Sequence, residues 1–367
     1  MALIRRVLVL LMASLLSCFA VASPARASGT EATKAADYIV STFKASGATR
    51  FGEVGSAADS LLALASTGDA RYDAQIADIL AVMQGEAAAF VKPDASGVSG
   101  AAKLALAAVA AHADPRSFGG VDLVTTIEGG IGADGSFGAF PGPFSSGLAM
   151  VALSRSGASI PDSMVDYLLT YAELRTGTTG GGFGCAPYPF KKGSACSAAD
   201  PDSTAMAVLG LQASGSTKAK AAATDALAWL ASTQQADGSW QNYSPVNSTG
   251  VVGPLFAAGS EQATRATAYV TSKQLASGAL STGLDNKANL LATQQGIFAL
   301  TDQTYAAIGV STATPTAPAA PESTATAAPE TSAPATPSGT DPAVMWTVGA
   351  LLLLLLGGAA AASRSRR

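Results

Sequence analysis

The chain has 367 residues, 48% of them apolar and 13% charged, with a net charge of −4. That is enough apolar material for one large or two medium cores. The acidic balance deepens once the arginines at the two ends are set aside, which excludes a nucleic-acid surface built on clustered Lys and Arg.

In chain order, the first segment is a targeting one. MALIRR, VLVLLMASLLSCFAVA and SPARA give a basic start, an apolar run and a small-residue site, so residues 1–27 read as a signal peptide cleaved after Ala27. LLSC offers a competing lipobox with Cys18 lipidated, but Leu16 fits that motif poorly.

Residues 28–310 contain a repeat. TEATKAADYIVSTFK, YDAQIADILAVM and AKAAATDALAWLAS place apolar residues at three and four spacing with one polar face. Each belongs with a second, nearly all-apolar helix rich in Ala and Gly, the pattern of a buried helix. RFGEVGSAADSLLALASTG, DGSFGAFPGPFSSGLAMVALSRSG, the segment ending DPDSTAMAVLGLQASG, DGSWQNYSPVNSTGVVGPLFAAG and SGALSTGLDNKANLLATQQGIFAL share one plan: a Gly-aromatic or Gly-Leu turn, small polar residues, then that helix. Glycines close the units at Gly68, Gly157, Gly215 and Gly259. The gap between Gly68 and Gly157 is about twice that between Gly215 and Gly259, and the degenerate unit SGVSGAAKLALAAVAAHADP fills it. Six hairpins result. The expected fold is all-α, an α/α toroid with an inner ring of helices inside an outer one.

Residues 311–342, rich in Thr, Ala and Pro, read as a disordered stalk that spans on the order of 100 Å in polyproline II. Residues 343–362 carry no charge and are about long enough for one transmembrane helix. The basic tail at 363–367 would stay in the cytoplasm, with the toroid outside. Cys185 and Cys196 form an even pair in an exported domain and read as a disulfide, with a metal pair as the weaker alternative because no histidine is near.

QQADGSW, through Gln234, Asp237, Gly238 and Trp240, resembles the Q-x-x-D-G-x-W turn of the terpenoid cyclase and prenyltransferase toroids. ADGSF, with Asp134, Gly135 and Phe137, is a partial copy in which Ile131 replaces the glutamine. Two activities follow as implications of resemblance. Asp200-Pro201-Asp202-Ser203-Thr204-Ala205 is similar to the D-x-D-D-T-A motif of class II terpene cyclases, which would make Asp202 a proton donor, with Ser203 in place of the following acid. A carbocation route also needs aromatic faces, and the domain has few.

Asp202 through Ala207 also resembles the Asp-Thr-x-Ala-Met-Ala helix start of the cobalamin carriers (the transcobalamin and intrinsic factor family). Leu300 through Tyr305 is similar to their Leu-x-Gly-Lys-Thr-Tyr segment. That resemblance implies non-catalytic capture, with cobalamin as the bound ligand and Asp202 accepting a hydrogen bond from a ligand amide. The carriers' second, closing domain has no counterpart here, so a partner protein would have to cover the ligand.

The expected ligand-binding set at the inner-helix starts is Asp202, Thr204, Ser145, Ser146, Asn247, Thr249, Asn289 and Gln294, with Ser248 beside them. The competing reading is capping alone: Asp200 as N-cap, Pro201 in the first turn, and Asp202 favouring the helix dipole. Ser56 and Asp59 read as a capping box. The partners expected are a small-molecule ligand or a surface protein, with the membrane reached through the C-terminal helix. A plain adhesion module is the third reading. No metal site is expected, since His112 is the single histidine and stands late in an inner helix. GIGADG lies in a helix-to-helix turn without a preceding strand, which argues against dinucleotide binding.

Overall fold

The computed structural model describes residues 29–46, 54–92, 97–173, 181–194 and 196–309. The expected signal peptide, stalk, membrane span and basic tail lie outside these residues. Among the described residues, no helix is long and apolar enough to cross a membrane.

They form twelve α-helices: α1 (Thr30–Ser46), α2 (Val54–Ser66), α3 (Asp73–Phe90), α4 (Gly97–Ala110), α5 (Leu123–Gly129), α6 (Pro143–Arg155), α7 (Asp162–Leu169), α8 (Pro201–Ser214), α9 (Thr217–Thr233), α10 (Pro245–Val252), α11 (Glu261–Ser272) and α12 (Leu290–Thr301). Extended pairing among the described residues is limited to isolated bridges in the turns.

The even-numbered helices touch in sequence from α2 to α12, and α12 packs back on α2 and α1. They make a closed inner ring, and each odd-numbered helix flanks it. The division follows from the side chains. On α9 the buried residues are Ala219, Ala222, Ala223, Ala226, Trp229 and Leu230, a single stripe at three and four spacing. On α8 every residue from Ser203 to Leu211 is buried. Small side chains set the ring's diameter. A Cβ added to Gly147 would sit 2.1 Å from the Met206 carbonyl oxygen, and one on Gly250 would sit 2.2 Å from that of Gln295. Adjacent inner helices therefore touch backbone to backbone.

The turn motif staples neighbouring hairpins. Gln234 Nε2 donates to the carbonyls of Gly238 (2.9 Å) and Gln262 (3.0 Å), while Asp237 accepts from the Ser239 N–H (3.0 Å). Gly238 has φ +92°, and its missing side chain leaves room for the Arg265 carbonyl. Trp240 is fully buried, donates Nε1–H to Leu230 O (2.8 Å) and stacks on Phe256. A copy that was not recognised in the sequence closes the ring. Gln274 Nε2 donates to Gly278 O (3.0 Å) and to Glu31 O on α1 (2.8 Å), joining the last hairpin to the first helix. The cysteine pair is joined as a disulfide.

Two local expectations shift. Because α2 begins at Val54, Ser56 lies inside the helix and does not cap it, and Asp59 turns to Lys103 on α4 at 3.0 Å. His112 stands just beyond the end of α4, exposed and in a left-handed conformation.

Candidate functional site at the inner-helix starts

Every inner helix follows an outer one through a turn, so all six run the same way and begin on one face. Four of the six junctions between them carry polar cross-links near that face. Asp59 pairs with Lys103 between α2 and α4. Gln294 on α12 donates to Ser60 Oγ (2.8 Å) and Ser56 O (3.1 Å) on α2. Asn247 Nδ2 on α10 donates to Gln295 Oε1 on α12 (2.7 Å). Asn242 Nδ2, in the loop entering α10, donates to Asp202 Oδ2 on α8 (2.7 Å).

Asp202 is the group that capping does not explain. The cap of α8 is Asp200, whose carboxylate accepts from the Ser203 N–H at 2.8 Å. One residue on, the Asp202 side chain turns away from its own helix end to Asn242 and the Ser248 hydroxyl. It is crowded by protein on nearly every side but is not sealed from solvent, as a group lining a concavity should be. Burial pushes its pKa up to about 6, and the nearby Asp200 charge adds to this. The bonds from Ser248 and Asn242 work the other way. Burial also raises Asp200, against the pull of Ser203.

The floor comes from beyond α12. Asp302 takes a left-handed turn, and the segment that follows folds back under the ring. Arg155, at the far end of α6, donates to the carbonyl oxygens of Tyr305 (3.0 Å) and Ile308. Tyr305 packs edge-on against Phe298 with ring centroids 5.1 Å apart. The aromatic ring is buried, with the residue 5% exposed. Burial and the charges of Asp59 and Asp202 hold its pKa far above the usual phenol range.

Of the eight expected ligand-binding residues, Asp202, Asn247 and Gln294 take part in these cross-links, each with its own partner. Thr204 and Thr249 are fully buried, and their hydroxyls accept from the turn N–H groups of Phe183 (2.9 Å) and Trp240 (3.0 Å). Thr293 does the same for Leu280, which makes this a repeated structural device. Asn289 caps α12 through the Ala292 N–H (2.8 Å). Gln294 bonds α2, and Ser145 bonds the carbonyls of Phe140 and Gly142. Ser146 is buried with no hydrogen-bond partner among the described residues.

Asn242, Gln295 and the location of Tyr305 were not found from sequence. The pair Gln294-Gln295 held a usable signal: neighbours on a helix point about 100° apart, so one bonds α2 while the other bonds α10.

The face where the inner helices start carries exposed apolar side chains. Phe140, Phe144, Tyr188, Tyr243 (65% exposed) and Leu284 (69%) all stand in or just after the loops leading into α6, α8, α10 and α12. Among the described residues, no group of three or more His, Cys, Asp and Glu side chains gathers to hold a metal ion.

Residues 144–259, from α6 to just past α10, match the family model of the squalene-hopene cyclase C-terminal domain. No curated protein matches the chain.

Proposed function

From the match of residues 144–259 to the squalene-hopene cyclase C-terminal domain and the closed ring of helices, we propose that the chain is a toroid of the terpenoid cyclase and prenyltransferase-like kind that acts as a non-catalytic ligand-capture protein. Its ligand would be a large neutral molecule rich in amide groups, cobalamin or a related corrinoid. The observation that carries this reading is Asp202: its helix is already capped by Asp200, and its carboxylate turns to the Asn242 amide in the loop entering α10 and to the Ser248 hydroxyl on α10. Such a surface offers hydrogen bonds all round with little net charge. The exposed Phe, Tyr and Leu side chains on the helix-start face suit a broad ligand with apolar faces. Spectrophotometric titration of the purified chain with cyanocobalamin tests the reading. Saturable binding that Asp202→Ala abolishes supports it, and absence of binding rejects it.

On the same proposal the protein is exported through residues 1–27 and held at the membrane by residues 343–362. The chain leaves the ring beside Arg155, on the face opposite the helix starts. A stalk from that point would carry the helix-start face outward, where a surface protein could cover it. Protease shaving of intact cells should release the toroid, and a chain resistant to shaving would reject the outward placement.

The cyclase-family match favours a second reading, in which Asp202 protonates an alkene. Two features weigh against it. Burial makes Asp202 a weaker acid than a free carboxyl, and Trp240, Phe137 and Phe183 are buried at turns and helix junctions, where Trp240 is stacked on Phe256. Cyclic products from a polyprenyl substrate would establish catalysis and overturn capture.

A further inference from the structure

Asp202 is half-buried and still reaches solvent, yet its acceptor is already occupied. The occupant is a carboxamide. Asn242 Nδ2 lies 2.7 Å from Asp202 Oδ2 and 3.4 Å from Asp200 Oδ1. An amide NH2 carries two protons and a carboxylate only accepts, so the nitrogen end of Asn242 faces both acids.

Asn242 stands in the loop that leads from Trp240 into α10, and both ends of that loop are fastened. The Trp240 ring is fully buried and its backbone N–H donates to Thr249 Oγ1 at 3.0 Å. At the other end the Val246 N–H donates to Thr282 O at 3.1 Å. Between these points the backbones of Gln241, Asn242 and Tyr243 make no hydrogen bond among the described residues, and Tyr243 is 65% exposed. The Asn242 side chain is what ties the middle of the loop to α8. The junction it crosses also differs from its neighbours. α6 meets α8 through Gly147 and Gly210, and α10 meets α12 through Gly250, whereas among the described residues no glycine brings α8 against α10. Asn242 can therefore leave Asp202 without breaking a backbone hydrogen bond.

We propose that Asn242 is a specificity-determining residue of the capture site: its carboxamide holds the Asp202 acceptor in the ligand-free protein, and a ligand binds by putting a carboxamide of its own in that place. The inference rests on the capture reading and deepens it to the group recognised and the contact that must be displaced. The exchange replaces one N–H···O bond with another, so selection falls on groups that cannot make the new bond. A ligand carboxylate sets acceptor against acceptor and like charge against like. An apolar group leaves Asp202 without a partner, at the cost of an unsatisfied charged acceptor. The sign of the effect separates this role from a structural one. Removing a merely structural bond weakens binding or leaves it unchanged, while removing a competitor strengthens it.

The test titrates the full-length wild-type chain and Asn242→Ala with cyanocobalamin and with its derivatives in which side-chain amides are hydrolysed to carboxylates. We expect Asn242→Ala to bind cyanocobalamin about tenfold more tightly than wild type. The carboxylate derivatives should bind the wild type more weakly than the parent does. A second readout uses the wild type alone: the side-chain NH2 resonances of Asn242, assigned by their loss in the variant, should move when cyanocobalamin saturates the protein. Equal or weaker binding by a folded Asn242→Ala, equal binding of the carboxylate derivatives, or Asn242 resonances unmoved at saturation overturns the inference and leaves capture standing. Absence of binding by both proteins overturns the inference and capture together.

Discussion

Asp202→Asn isolates what burial does to the carboxylate. The substitution keeps the size of the side chain and an oxygen to accept from Asn242 Nδ2, now at 2.7 Å, while removing the charge. In the folded protein the carboxyl titrates at about 6 against 3.8 for the free group. A folded pKa above the unfolded one means that the neutral form is favoured by folding. Its contribution is fully present below the unfolded value and is lost as pH rises through the folded value. At ~1.4 kcal/mol per decade of acidity, the loss is about 3 kcal/mol, an upper figure because Asp202 keeps some contact with solvent. Asp202→Asn should therefore match the wild type at about pH 3.5 and exceed it by up to ~3 kcal/mol at about pH 7. Urea unfolding midpoints across that range read the difference directly. A gap that stays constant with pH, or a variant weaker than wild type at neutral pH, would refute the reasoning that burial dominates this site.

On the capture proposal, the same titration would set the pH profile of binding. A ligand N–H favours the carboxylate over the carboxyl, so affinity for cyanocobalamin should climb as pH rises through about 6 and level off above it; a flat profile counts against Asp202 as the acceptor. Thr249→Val leaves the buried Trp240 N–H without its 3.0 Å partner and should cost about 1–3 kcal/mol in urea unfolding, whereas an unchanged midpoint would mean that the threonine device is dispensable. Gly238→Ala forces a side chain into a φ of +92° with its Cβ 2.4 Å from Arg265 O, and should lower stability by roughly 2 kcal/mol or more. Gln274→Ala removes the bonds to Glu31 and Gly278, and hydrogen exchange in α1 should rise more than in α7 across the ring. Equal exchange in the two helices would show that closure does not depend on this turn.

Much of the ring was legible because its signals are local and repeated. Stripes at helical spacing mark the outer helices, all-round apolar Ala-rich runs mark the inner ones, and Gly68, Gly157, Gly215 and Gly259 all take the positive φ expected of unit-closing glycines. The turn motif could be read in hairpin five because Trp240 is conspicuous. It was missed in hairpin six, where Gln274, Gly278 and Leu280 perform the same packing without an aromatic ring.

The site was legible only in part, for a physical reason. A polar residue at a helix start has the same composition whether it bonds its own helix, a neighbouring turn or a ligand. Asn289 took the first course and Thr204 and Thr249 the second. Asp202 was free for another role because Asp200 already held the cap. Local periodicity and turn chemistry thus determined that twelve helices would form and pair, since helix formation depends on neighbours a few residues away. Only the tertiary structure decided which side chains meet across the ring. Gln294 and Ser60 are 234 residues apart along the chain, and ring closure alone brings them together.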